Sequence, residues 1–169
     1  METTKNKTTL LIMAAGMGSR FGSLKQLALL GPHKKTLLHY SIYDAVHAGF
    51  DKIVFIIRRS FENEFKEAVG KYAESLVETV YCFQEMDQLP GNLPPIQREK
   101  PWGTAHAIWA AKDHIHEPFI AINADDFYGR DAFVKMHDFV ASNSDERCFS
   151  LAGYRLAATL SENGTVSRG

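Results

Sequence analysis

An α/β fold, a mostly parallel sheet with helices on both faces, is predicted by three features of the 169-residue chain. Short apolar runs alternate with helix-period segments almost to the end, which is the pattern of strand–helix–strand units. The first run, Thr8 to Ala15, is apolar on both faces from Leu10 onward, the habit of a central parallel strand covered on both sides. It then runs directly into a glycine-rich loop.

Each element has its own signal. Between Lys35 and Ala48, the residues Leu38, Ile42, Ala45 and Val46 make one helical stripe, and Gly49 stands where a carboxyl-terminal cap belongs. Lys52 to Ile57 is a β-branched run and predicts a second strand. Ser60 is expected to cap a helix carrying Phe61, Phe65, Ala68, Val69 and Tyr72 at helical spacing. Val77 to Phe83 predicts a third strand. The pattern lapses from Gln84 to Gly103, where Pro90, Pro94, Pro95 and Pro101 mark a long loop, and loops of that length are usually functional or mobile. A small-residue helix is expected from Thr104 to about Ile115, a strand from Phe119 to Asn123, a helix from Arg130 to Ser142 and a last strand from Phe149 to Arg155. The segment Ser161 to Thr165 reads as a turn.

Composition narrows the functional classes. Lysine plus arginine number 19 against 20 aspartate plus glutamate, so no global basic field exists to hold a nucleic acid, and a polyanion must be met locally. No apolar stretch approaches the ~20 residues of a membrane span, and the start of the chain is polar, so no membrane partner and a cytoplasmic location are expected. Cys82 and Cys148 are far apart, suit a reducing compartment and are expected to be buried small hydrophobes. The seven histidines show no metal-ligand spacing and read as solvated or structural. Trp102 and Trp109 read as packing residues.

The segment Leu11 to Lys25 carries most of the chemistry. A glycine turn at the carboxyl end of a parallel strand turns backbone N–H groups outward, where they can cradle phosphate oxygens. The spacing Gly16-x-Gly18-x-x-x-Gly22 is not that of a dinucleotide fingerprint, and the second strand ends in Arg58-Arg59 where that site needs an acidic residue. A Gly-Lys-Ser/Thr triplet is absent. What remains is a loop with two cations, Arg20 and Lys25. Arginine grips phosphate oxygens bidentately and lysine places a point charge, which suits a triphosphate whose pyrophosphate leaves.

Two further groups of residues sit where ligands collect. Gly103-Thr104-Ala105 opens a helix with small side chains, so that a base or ribose has room to lie against backbone. Asp125 and Asp126 follow an apolar strand, at the sheet edge shared with the glycine loop. Carboxylates there need a positive partner, and Mg²⁺ bound to phosphate is the natural one. Asp126 is equally readable as the start of a turn.

The order Gly16, Gly18, Ser19, Arg20, Phe21, Lys25 resembles the signature of the sugar-phosphate nucleotidyltransferases, the nucleoside-diphosphate-sugar pyrophosphorylases. The resemblance implies the Rossmann-like sheet of nucleotide-diphospho-sugar transferases. It further implies Mg²⁺-dependent transfer of a nucleotidyl group from a nucleoside triphosphate to a sugar 1-phosphate, with pyrophosphate released. Arg20 and Lys25 then take the catalytic roles, with Arg20 on the β- and γ-phosphates and Lys25 on the reacting phosphate. Ala14, Ala15, Gly16, Gly18, Ser19, Gly103 and Thr104 become nucleotide contacts. Gln84 occupies the place of a base-reading glutamine, which favours UTP or dTTP, and Asp125 that of a magnesium ligand. Leu24 stands before Lys25 where relatives have proline, and Ala124 before Asp125 where many have glycine.

The alternatives are a cytidylyltransferase acting on a polyol or alcohol phosphate, and a non-catalytic module that binds nucleotide sugars. The Gly103-Thr104-Ala105 motif favours a sugar substrate over the first, and Lys25 with Asp125 favours chemistry over the second. Residues 1–169 match the amino-terminal, nucleotide-binding part of longer relatives. The sugar pocket and a second acidic ligand are therefore expected elsewhere, with no full turnover by this piece alone. A homo-oligomer is compatible with the sequence.

Overall fold

The computed structural model describes residues 7–16, 29–30, 35–91, 102–143, 145 and 147–160. The first apolar run forms β1 (Thr9–Met13), whose residues 9 to 12 are buried. Its neighbours are β4 (Lys52–Ile57), buried at all six positions, and β6 (Phe119–Asn123). With β5 (Glu78–Phe83) they make, among the described residues, a four-stranded parallel sheet in the order β5-β4-β1-β6. Thr9 is level with Lys52 on one side and Phe119 on the other, and Lys52 is level with Glu78. A two-residue antiparallel ladder, β2 (Leu29–Leu30) with β3 (Lys35–Thr36), leads into the first helix.

Strand alternation divides the core into two layers. On one face Leu10, Ile12, Ile53, Phe55, Ile57 and Ile122 pack against three helical segments. These are α1 (Leu37–Ala48), the helical stretch beginning with α2 (Glu62–Phe65), and α5 (Arg130–Ser142). On the other face Leu11, Val54, Ile56 and Cys82 meet Ala107 and Ala111, from α4 (Thr104–Trp109) and the turns that follow it. The second layer is smaller, with Ala107 and Ala111 buried and Ile108 and Ile115 packed partly buried against it. Helices thus cover both faces, as the sequence predicts, but unequally.

Local signals explain the element ends. The Thr36 N–H donates to His39 Nδ1 at 3.2 Å at the start of α1. Gly49 ends that helix at φ 111°, its N–H shared between the carbonyls of Ala45 and Val46 at 3.1 Å each. An L-residue at that φ would be strained, which is why the stripe stops at a glycine. The expected Ser60 cap is replaced by a 3₁₀ turn over Arg59–Phe61 with Arg58 at the cap position. After α2 the helix widens into a π-turn, Lys66–Gly70, before α3 (Lys71–Glu74). Gly70 lies under the phenol of Tyr81, and a Cβ there would fall inside the van der Waals shell of its oxygen.

Two further expectations are corrected. Residues 149–155 form no strand: Phe149 and Leu151 are 90% and 96% exposed. Apolar alternation alone does not make a strand, and among the described residues no ladder stands beside this segment to receive it. For the same reason Cys148, on that segment, is exposed, whereas Cys82 is buried. No helix among the described residues is long and apolar enough to cross a membrane.

The edge of the sheet where the strands begin is tied by an ionic clasp. Lys52 Nζ lies 3.0 Å from Glu117 Oε1 and donates to the His114 carbonyl at 2.5 Å. Glu117 also accepts from the Thr9 hydroxyl and, at 3.0 Å, from the His116 N–H. One carboxylate thereby joins β1, β4 and the turn ahead of β6.

Candidate functional site

The opposite edge, where all four strands end, gathers the residues with chemical capability. Along the order β5-β4-β1-β6 these are Gln84, Arg58, Ala14 to Gly16, and Asp125 with Asp126. The backbone ladder sets their spacing. The Gln84 N–H donates to the Ile57 carbonyl at 3.0 Å, that of Ala14 to Ile56 at 2.8 Å, and that of Ala124 to Met13 at 3.1 Å. Three of the four strands, β5, β1 and β6, are thus held in register for one residue past their formal ends. Ala14 and Ala15 are buried, and Gly16 is exposed at the lip.

Arg58, whose charge disfavours a dinucleotide site, has a structural part at this edge as well. Its Nε donates to the Ala15 carbonyl at 2.9 Å, so β4 fixes the backbone just ahead of Gly16. Its buried Nη2 has no hydrogen-bond partner among the described residues. The neighbouring Arg59 lies with its guanidinium 4.0 Å from the centre of the Phe83 ring. An arginine in place of the acid that ends the second strand of dinucleotide folds was the available signal, since a cation at this edge favours anionic ligands.

Gln84 is 7% exposed and held by its side chain. Its Nε2 donates to the Trp102 carbonyl at 2.9 Å, lies 3.4 Å from the Gly103 carbonyl and is 3.2 Å from His106 Nδ1. His106 Nε2 is in turn 2.5 Å from the Gln88 carbonyl, and the Trp102 indole donates to the Met86 carbonyl at 3.0 Å. These bonds fasten the two described ends of the proline-rich loop to one another. Gly103 and Thr104 are therefore brought beside Gln84, and both are exposed. A Cβ on Gly103 would meet nothing within 4 Å, so that position opens onto free space. Trp102 and Trp109 flank His106 at ring distances of 6.1 and 5.5 Å, which accords with a packing role.

Asp125 is exposed and Asp126 half-buried, in the turn directly after β6. Asp126 accepts from the Asn123 side-chain amide at 2.9 Å, and the Asn123 backbone N–H donates to the Tyr128 hydroxyl at 2.9 Å. Burial, with the carboxylates of Asp126 and Asp125 nearby, holds the Tyr128 phenol above its ordinary value despite that hydrogen bond, so it stays neutral. Among the described residues no three acidic, histidine or cysteine side chains gather as a metal cage. Two adjacent carboxylates form an all-oxygen donor set. That set fits Mg²⁺, which takes one or two protein carboxylates and fills its octahedron with phosphate and water. Gly18, Ser19, Arg20 and Lys25 lie outside the described residues.

Comparison with known proteins follows the same lines. A sequence model of the family described as nucleotidyl transferase matches residues 9–168. The chain is 28% identical over 130 residues to a UTP–glucose-1-phosphate uridylyltransferase of Bacillus subtilis, covering 69% of this chain and 43% of that protein. It is 30% identical over 107 residues to the bifunctional protein GlmU of Staphylococcus haemolyticus, covering 63% of this chain and 19% of that one. The chain thus spans less than half the length of these two relatives. Its fold is similar to that of a UDP-glucose pyrophosphorylase solved with UDP-glucose, at a TM-score of 0.53 and 21% identity, over 79% of this chain and 53% of the other.

Proposed function

Because the chain belongs to the nucleotidyl transferase family, we propose that it supplies the nucleotide-binding site for transfer of a nucleotidyl group from UTP or dTTP to a sugar 1-phosphate. The observation that carries this reading is the convergence of Gln84, Arg58, Gly16 and Asp125 on one sheet edge. In this arrangement Gln84 meets the base, Gly103 and Thr104 leave room for the nucleoside, and the backbone of Ala14, Ala15 and Gly16 leads into the phosphate loop. Gly18 and Ser19 continue that loop, and Arg20 and Lys25 are assigned to the phosphates. The names of the relatives, a glucose-1-phosphate uridylyltransferase and a UDP-glucose pyrophosphorylase, support a uridine nucleotide and a hexose 1-phosphate.

The reaction asks little acid–base chemistry of the protein. A sugar phosphate is already ionised at neutral pH, so its oxygen forms the new bond to the α-phosphorus unaided. The bond from that phosphorus to the bridging oxygen breaks, and pyrophosphate leaves with the electron pair. Positioning and charge neutralisation therefore do most of the catalysis. Asp125, with Asp126 beside it, would hold Mg²⁺, which when bound neutralises phosphate charge. The cationic side chains Lys25 and Arg20 hold the triphosphate in line.

The test is binding followed by turnover. UTP titrated with Mg²⁺ should bind, with affinity lowered about tenfold or more in Lys25→Ala and with a weakened Mg²⁺ dependence in Asp125→Ala. Full-length protein given UTP, Mg²⁺ and glucose 1-phosphate should release pyrophosphate. An unchanged UTP affinity in Lys25→Ala together with an unchanged metal titration in Asp125→Ala would refute the assignment.

A further inference from the structure

The hydrogen bonds around Gln84 have a direction. Three acceptors, the carbonyls of Trp102 and Gly103 and Nδ1 of His106, converge on its Nε2 at 2.9, 3.4 and 3.2 Å. An amide NH₂ has two protons, and both are committed to the protein. The opposite amide orientation would set the Gln84 oxygen against two carbonyl oxygens. Because His106 accepts through Nδ1, its proton is on Nε2, where it donates to the Gln88 carbonyl at 2.5 Å. The relay therefore runs one way, from Gln84 through His106 to Gln88. Among the described residues the Gln84 side-chain oxygen accepts no hydrogen bond, although the residue is almost wholly buried.

We propose that His106 is a positioning residue that, by fixing its own tautomer on Gln88, holds the Gln84 amide with only its oxygen turned to the ligand. The inference rests on Gln84 meeting the base. A site that offers an acceptor selects a base with a ring N–H donor, as uracil and thymine have. It rejects cytosine, whose corresponding ring nitrogen is an acceptor and would face the Gln84 oxygen lone pair to lone pair. Base choice then comes from a side chain that does not itself touch the base.

Two histidine substitutions separate the halves of the relay. His106→Asn keeps an oxygen near the place of Nδ1 and can still accept from Gln84. His106→Gln reaches toward Gln88 but leaves Gln84 without that acceptor. Binding of UTP and of CTP, each with Mg²⁺, is measured for the wild type, both variants and Gln84→Ala. The wild type should prefer UTP by about tenfold or more. Gln84→Ala should remove the preference, His106→Asn keep most of it, and His106→Gln lose it severalfold while still binding UTP. An unchanged ratio in His106→Gln would overturn the role of His106 and leave base reading by Gln84 standing. A ratio unaltered in Gln84→Ala, or no preference in the wild type, would overturn base reading and the inference with it. Nitrogen-15 spectra of the His106 ring in the nucleotide-free protein give an independent check: the Nε2–H tautomer is expected, and an Nδ1–H tautomer would overturn the relay whatever the ligand.

Discussion

Lys52 and Glu117 form an ion pair at 3.0 Å with side chains only 11% and 18% exposed, on the sheet edge opposite the candidate site. Burial alone would raise the Glu117 carboxyl. Hydrogen bonds from Thr9, Lys52 and the His116 N–H, with the Lys52 charge, outweigh it and hold the group at about 2, below its usual 4.5. A carboxylate whose folded-state value lies below the unfolded one stabilises the fold fully above the unfolded value. That contribution fades as pH falls through the folded value.

Glu117→Gln should therefore cost about 2 to 3 kcal/mol at neutral pH. Urea midpoints measured from pH 7 down to pH 2 should show the gap between wild type and variant closing below about 4.5, where the unfolded chain's carboxylate begins to take up a proton that the folded one refuses until about pH 2. A gap constant down to pH 2 would contradict the clasp.

Gly70→Ala should lower the melting temperature by an amount equivalent to about 1 to 3 kcal/mol, because the new methyl collides with the Tyr81 hydroxyl. In a Tyr81→Phe background the hydroxyl is gone and the penalty of the same substitution should shrink. Tyr81 also donates to Glu74 at 2.7 Å, so Tyr81→Phe carries a small cost of its own, and the coupling must be read from the full double-mutant cycle.

The two thiols should differ in reactivity. Burial pushes Cys82 up to about 11, so it is neither accessible nor ionised at neutral pH, while Cys148 is exposed. A chromogenic disulfide reagent should titrate one thiol in the folded protein and the second only after denaturation. Cys148→Ser should leave the native protein almost unreactive.

His137 is buried on α5 with neither ring nitrogen hydrogen-bonded among the described residues, and the Asp138 carboxylate stays 3.6 Å from Nδ1. It packs edge-on against Phe50 at 5.2 Å. Since an unsatisfied buried polar group costs about 1 to 3 kcal/mol, His137→Leu should hold or raise the melting temperature. A loss of more than about 1 kcal/mol would show that the ring packs better than its chemistry suggests.

How much of this was legible in the sequence depends on how local each signal is. The strands Lys52–Ile57 and Phe119–Asn123 and the helix Arg130–Ser142 have the bounds read from their apolar patterns. In each case the pattern and its flanking turn residues lie within one short window. Residues 149–155 mislead because a strand is a property of two segments, and periodicity reports on only one. Gln84 was readable as a strand-end amide, but its partners Trp102 and His106 lie 18 and 22 residues onward, across a loop whose path no local rule predicts. Arg58 was visible as a cation, but its grip on the Ala15 carbonyl needs the register of β4 on β1.

That register has a kinetic consequence. β1 pairs on one side with a strand begun at Lys52 and on the other with one begun at Phe119, so the second pairing closes a far longer stretch of chain than the first. Long-range parallel pairing is slow, because loop entropy is lost before contacts are gained. β6 should therefore dock late, bringing Asp125 to an edge where Gln84, Arg58 and Gly16 already stand. Mg²⁺ held by Asp125 would then act only on that last step and leave the early ones untouched.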